Sequence, residues 1–172
     1  MGGETPKLRA PVKPGEGEEM EDRWGVLLVS ARLENRRALQ HILEGLPILV
    51  FTASTIQQAR DALSGRPIRL VFCEESFADG SYRDLLASIH ATPTSTLLVL
   101  ILSTGEWDEY LEAMRLGARD VIRCPLQPTD VELVLIRAAR DFEAAEHGHL
   151  GRYSTENKTN SPVQAIAHSQ VA

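Results

Sequence analysis

Five short segments of the 172-residue chain carry side chains that could do chemistry, and each stands just after an apolar run. They are Ser30-Ala31, Thr52-Ala53, Glu74-Glu75, Ser103-Thr104 and Cys124-Pro125. The two carboxylates are of the kind that a hard cation wants. A thiol such as Cys124 becomes reactive where a cation or a helix N-terminus lowers its pKa; more commonly a lone Cys is a small buried hydrophobe. Other chemistries lack their residues. A phosphate-cradling loop needs glycines that let backbone amides approach the anion, and the first turn, Ser30-Ala31-Arg32-Leu33-Glu34-Asn35, has none. No Cys-x-x-Cys, His-x-x-x-His or Gly-x-Ser-x-Gly follows any of the runs. Among the five histidines only His147 and His149 are close together, and no metal site is expected from them.

The elements that would position these residues alternate in two patterns. The apolar runs are Val26–Val29, Ile48–Phe51, Leu70–Cys73, Leu97–Leu102 and Val121-Ile122. They are near-continuous, which marks strands buried on both faces of a parallel sheet. Between and after them lie stripes with helical spacing. The stripes are Leu39/Ile42/Leu43/Leu46, Ile56/Ala59/Leu63, Tyr82/Leu85/Leu86/Ile89, Trp107/Tyr110/Leu111/Met114 and Val131/Val134/Leu135/Ala138/Phe142. The fourth stripe is expected to be mostly core, with part of it open to a partner. Ser54 to Gln57 and Thr129 to Glu132 read as capping boxes. Gly45, Gly65 and Gly117 stand where a left-handed residue ends a helix. Strand–helix five times over, with right-handed crossovers, gives a parallel sheet covered by helices on both faces. Ligands of such a sheet bind beyond the carboxyl ends of its strands, which is where the five segments stand.

Composition narrows the class further. The chain is acidic, net -6, and 43% hydrophobic. That argues against nucleic acid, whose partners show a basic face. Two cysteines, Cys73 and Cys124, cannot make a disulfide framework. No basic segment followed by an apolar run opens the chain, no stretch is long enough to span a membrane, and a cytoplasmic setting is expected. Residues 1–23 hold four basic and six acidic side chains with almost no large apolar ones. Residues 147–172 are rich in Ser, Thr, Asn, Gln and His, with two basic side chains and one acidic. Both read as disordered tails, which leaves one domain, 24–146, at net -5. The only lysines are Lys7, Lys13 and Lys158, so every cationic Lys or Arg of that domain is an arginine.

The local sequences resemble the receiver domain of two-component response regulators. Leu28 to Arg36 is similar to the family's first-strand segment, and Leu70 to Gly80 to its third strand and Pro-Asp-Gly loop. Leu102-Ser103-Thr104 is similar to the end of its fourth strand. Leu116-Gly117-Ala118-Arg119-Asp120, running on to Cys124-Pro125, closely resembles the "leucine-Gly-Ala-acid…Lys-Pro" signature of its fifth. The resemblance covers nearly all of 24–141. It implies a flavodoxin-like, doubly wound, five-stranded parallel α/β sheet of order 2-1-3-4-5 with five helices.

In that family a strand-three Asp accepts a phosphoryl group with Mg²⁺ held by an acidic pair, and a Lys and a hydroxyl contact the phosphoryl oxygens. The charge-rich transition state is stabilised almost wholly by electrostatics. The matching positions here form a degenerate pocket. Ser30 and Ala31 replace the acidic pair, Glu74 stands at the acceptor, Ser103 keeps the hydroxyl and Cys124 replaces the Lys. A register shift of one would put Glu75 at the acceptor instead. Glu is one methylene longer than Asp, and a misplacement of about 1 Å can cost on the order of 10²-fold. Asp79 matches the family's loop acid, and Val121 takes the switch position where the family has an aromatic ring. Neither phosphotransfer nor Mg²⁺ binding is expected, nor any other metal or cofactor. Glu74 is either a fixed charge in place of phosphoaspartate or a plain strand-end carboxylate.

The reading that follows is a non-enzymatic, stand-alone pseudo-receiver acting through protein–protein contact in a phosphorelay. Its interaction face would comprise the fourth helix, fifth strand and fifth helix, with Trp107, Tyr110, Arg119 and Arg123. The partner would be a signalling protein or a second copy in a homodimer. Two alternatives stay open: a flavodoxin-like ligand-binding protein or enzyme, and a thiol sensor through Cys124.

Overall fold

The computed structural model describes residues 24–103 and 107–155, with side chains to 145. The elements run β1 (Gly25–Val29), α1 (Leu33–Leu43), β2 (Leu49–Ala53), α2 (Ile56–Gly65) and β3 (Ile68–Glu74). A two-residue hairpin follows, β4 (Ser76–Phe77) and β5 (Gly80–Ser81), then α3 (Tyr82–His90), β6 (Leu97–Leu102), α4 (Trp107–Leu116), β7 (Asp120–Arg123) and α5 (Pro128–Thr155). The main sheet is five-stranded and parallel, in the order β2-β1-β3-β6-β7. With the hairpin set aside, this is the expected order 2-1-3-4-5, and all five strand–helix units are present.

Two apolar layers sandwich the sheet. Leu27, Val29, Val71, Cys73, Leu98, Leu100 and Leu102 pack beneath α2, α3 and α4. Val26, Leu28, Leu70, Phe72, Val99 and Ile101 pack beneath α1 and α5. Successive strand residues alternate between the layers, as strand geometry requires. Trp24 closes the second layer edge-on against Phe142, with ring centroids 5.3 Å apart. Among the described residues no helix is long and apolar enough to cross a membrane.

The punctuation departs from expectation at several places. Thr55, one residue after Ser54, caps α2: its hydroxyl accepts the Gln58 amide at 3.1 Å, while the Ser54 amide donates to Gln58 Oε1 at 2.9 Å. α5 starts at Pro128, whose fixed φ suits a first helical position, rather than after a Thr129 cap. It also continues to Thr155, so residues 147–155 extend a helix instead of beginning a tail. No proline stands between Pro128 and Pro162 to stop it. The remaining tail segments, 1–23 and 156–172, lie outside the described residues. Gly45 and Gly117 adopt left-handed φ values of 83° and 98° after their helices; a Cβ on Gly117 would come within 2.8 Å of the His90 ring. Gly65 instead remains inside α2, and the chain turns extended at Arg66.

The α4 stripe differs most from its expected role as core. Ala113 is the only buried residue of that helix. Trp107 is 61% exposed, Leu111 36% and Met114 39%, and Tyr110 is half-buried, stacked on Trp107 at 5.1 Å. Ala113 and the half-buried Tyr110 seat α4 against the first apolar layer, and Trp107, Leu111 and Met114 lie along the outside.

Candidate functional site

β1 and β3 are adjacent, with Val29 beside Cys73. Their next residues, Ser30 and Glu74, therefore meet at the carboxyl edge of the sheet, and both are buried. A carboxylate buried there needs donors. The Ser30 hydroxyl donates to Glu74 Oε1 at 2.7 Å, and the Asn35 carboxamide donates to the same oxygen. The Ser30 hydroxyl oxygen also accepts the Arg32 amide at 3.0 Å. The Arg36 guanidinium donates to the Ser30 carbonyl. α1 thus brings two donors from its first turn to the strand end: Asn35 reaches β3 and Arg36 reaches the end of β1.

Glu75 serves the other side. β6 lies next to β3, with Ile101 beside Glu74, and the Ser103 amide donates to Glu75 Oε2 at 3.0 Å. Ser103 is half-buried. The two consecutive carboxylates thus divide, Glu74 toward β1 and α1, Glu75 toward β6. Ala31 is exposed at the rim.

Cys124 joins the site from β7, where its amide donates to the Leu102 carbonyl at 2.9 Å. Its thiol is half-buried and feels Glu74, Glu75 and Arg32. Burial raises its pKa first and the Glu74 carboxylate adds to that, with Arg32 opposing. That direction is wrong for a nucleophilic thiol. Cys73 lies in the opposite layer, fully buried, and its thiol donates to the Glu74 carbonyl at 3.3 Å. Burial pushes it far upward, with the Glu74 charge adding. Placing the two thiols in different layers rules out a bond between them.

Two sequence-singled residues lie away from the pocket. Asp79 caps α2, accepting the Ile56 amide at 3.0 Å and the Gln57 amide at 2.9 Å, and these bonds hold its carboxyl below the ordinary range. Val121 is half-buried on the α4 side, against the first apolar layer.

The residues at this edge do not fit a divalent metal. Such an ion wants six or more oxygens, several of them anionic. Glu74 Oε1 already holds two donors, Glu75 Oε2 holds another, and Ser30 and Ala31 contribute no carboxylate. Among the described residues no three His, Cys, Asp or Glu side chains converge in a way that could hold a metal ion.

The other face of interest lies between α4, β7 and α5. A groove of about 370 Å³ is lined by Tyr110, Val121, Arg123, Asp130, Leu133 and Arg137, among others. Leu133 and Ile136 are about half exposed on α5. Arg137 pairs with Asp120 at 2.7 Å, and Arg119 pairs with Asp141. Arg123 is exposed at the end of β7. α4 is tied to α3 by Arg83, which donates to Glu109 at 2.7 Å and to Glu112 at 2.9 Å. Tyr82 is fully buried beside this cluster. Its hydroxyl has no hydrogen-bond partner among the described residues, and burial with the nearby Glu109 charge raises its pKa.

Sequence reasoning placed Ser30, Glu74, Ser103 and Cys124 together, and the fold brings them to one edge. It assigned no role to Asn35 or Arg36. Their spacing, five and six residues after the strand's last apolar position plus one, is the signal that puts them on the first turn of α1 facing the strand end.

No protein-family model matches the chain. A curated relative, the response regulator protein PilR of Pseudomonas aeruginosa, is 26% identical over 104 residues; the match covers 60% of this chain but only 23% of that protein. Solved structures match more completely. The signal receiver domain of a putative LuxO repressor protein from Vibrio parahaemolyticus superposes with a TM-score of 0.68 at 18% identity, covering 72% of this chain and 95% of that one. The signal receiver domain of an HD domain-containing protein from Pseudomonas fluorescens gives 0.66 at 24% identity, with 71% and 98% covered. A CheY-like receiver domain protein from Methanospirillum hungatei gives 0.65 at 16%, with 72% and 99% covered. Sheet order, site position and these likenesses converge: the chain carries the receiver-domain fold of response regulators.

Proposed function

We propose that this chain is a pseudo-receiver: a cytoplasmic, non-catalytic signalling module that acts by protein–protein contact in a phosphorelay and does not take up a phosphoryl group. The observation that carries this reading is Glu74. It stands at the acceptor position, buried, with its Oε1 engaged by Ser30 and Asn35. The charges that phosphoryl transfer needs are missing around it, since no acidic pair precedes it and no lysine exists in 24–146. Val121 offers no ring for a hydroxyl–aromatic switch.

The contact surface is the α4–β7–α5 face. Trp107, Leu111 and Met114 on α4 and Leu133 and Ile136 on α5 expose large apolar side chains, around a groove edged by both Arg and Asp. A second copy of this chain suits it, because a two-fold axis sets a mixed-charge patch against its own complement.

Acetyl phosphate or beryllofluoride with Mg²⁺ tests the loss of phosphorylation. Amide spectra of the full chain should stay unchanged. A saturable shift centred on Glu74, Ser103 and Cys124 would overturn the reading.

A further inference from the structure

The carboxyl edge of the sheet is electrostatically balanced from within. Two carboxylates, Glu74 and Glu75, share this edge with two guanidinium groups: Arg36 donates to the Ser30 carbonyl, and the charge of Arg32 reaches Cys124. A pocket that collects divalent cations needs an excess of negative charge, and here the sum is near zero. The hydrogen bonds have the same logic. Glu74 Oε1 is met by a hydroxyl and a carboxamide, and the oxygen atom of that hydroxyl is itself held by the Arg32 amide. The two bonds onto Glu74 join β3 to the β1–α1 junction, and the Arg32 amide and the Arg36 guanidinium brace that junction from its own side.

We infer that the first turn of α1 takes the place of a divalent cation: the Asn35 carboxamide and the Ser30 hydroxyl hold Glu74, and the Arg36 guanidinium, on the Ser30 carbonyl, fixes the β1–α1 junction that carries them, closing the edge as a permanent latch to β3. This rests on the pseudo-receiver reading and deepens it, since it says what occupies the edge instead of metal. Asn35 and Arg36 are positioning residues. Asn35 holds Glu74 directly and Arg36 holds the junction that carries Ser30, so the edge is closed without ligand and has one state where a metal-dependent pocket would have two.

Removing the cation and restoring an anion should reopen the edge. Ser30→Asp places a second carboxylate against Glu74, because the present hydroxyl is already 2.7 Å from it; two adjacent carboxylates resist joint ionisation unless a cation intervenes. Arg36→Ala removes the competing charge. The probe is Mn²⁺, whose paramagnetism broadens nearby amide signals of the labelled full-length chain. In the unmodified protein the amides of residues 30–36, 74 and 75 should show no saturable broadening. The Ser30→Asp/Arg36→Ala double variant should show it at those amides, and Ser30→Asp alone should need about tenfold more Mn²⁺, one guanidinium charge opposing the metal at close range. Saturable broadening in the unmodified protein overturns the inference, as does equal Mn²⁺ affinity of the single and double variants.

Should the double variant fail to fold, Ser30→Ala decides through a different readout. The Arg32 amide, which loses its hydroxyl partner, should exchange with solvent about fivefold faster, the worth of one modest hydrogen bond. Unchanged exchange would mean that the junction is not latched through Ser30. Mn²⁺ binding without any response to beryllofluoride would sink the latch and leave the pseudo-receiver reading standing. A response to beryllofluoride would remove both.

Discussion

Glu74 illustrates how a residue's neighbours decide its chemistry. A strand-end carboxylate in water would be free to bind or react; buried, it must satisfy its lone pairs from what the fold supplies. The pairing with Ser30 was legible because both end adjacent strands. The donation from Asn35 was not, because helix phase at a first turn depends on where the turn begins. Asp79 is the converse case: matching a loop acid by sequence, it works in the structure as a cap for α2. Its pKa lies below the ordinary 3.8 because two backbone amides favour the charged form. A folded pKa below the unfolded one gives stability that is full above the unfolded value and is lost as pH falls through the folded value. Asp79→Asn should therefore lower the thermal midpoint at pH 7. The gap between variant and parent should close as pH falls below about 4, where the unfolded-state Asp titrates. A pH-independent gap would mean that shape rather than charge makes the cap.

Among the elements, α4 shows what a hydrophobic stripe does not reveal. Apolar residues at helical spacing identify the helix, and the other four stripes are mostly buried as read. Which face of α4 meets the sheet depends instead on Ala113, which the fourth stripe left out, with Tyr110 beside it. With so little buried, α4 relies on Arg83, which spans to Glu109 and Glu112. All three side chains are partly solvent-exposed, so screening trims their worth. Arg83→Ala should cost about 1 kcal/mol in a denaturant titration, with the loss shrinking in molar salt. It should also quicken amide exchange in α4 more than in α3. A salt-independent loss would trace instead to the Arg83 guanidinium over the Tyr82 ring, 4.8 Å from its centroid.

Across the whole molecule, a parallel sheet buried on both faces was readable from the near-continuous apolar runs, and its order was what the receiver resemblance implied. The latch and the exposed α4 were not, because both depend on long-range side-chain meetings. The sheet leaves β2 and β7 as edges. β7 is four residues long and begins with Asp120 and ends with Arg123, which discourages strand addition. Association should instead use the helical side of that edge. Sedimentation of the full chain should show a concentration-dependent dimer, and Leu133→Glu, which places a charge in the groove, should weaken it at least tenfold while leaving the fold intact. A monomer at all concentrations would assign the face to a different protein.

The two thiols make the layered sheet into a clock. Cys73 sits in the layer beneath α2, α3 and α4, and Cys124 at the margin of the layer beneath α1 and α5. Cys73 is fully buried and Cys124 half-buried, so their labelling reports openings of different size. Alkylation in mild denaturant should modify Cys124 through small openings at the β7 margin whose rate barely responds to denaturant. Cys73 should wait for global unfolding and show the full denaturant dependence. The difference between the two slopes would measure how far the halves of this domain come apart independently.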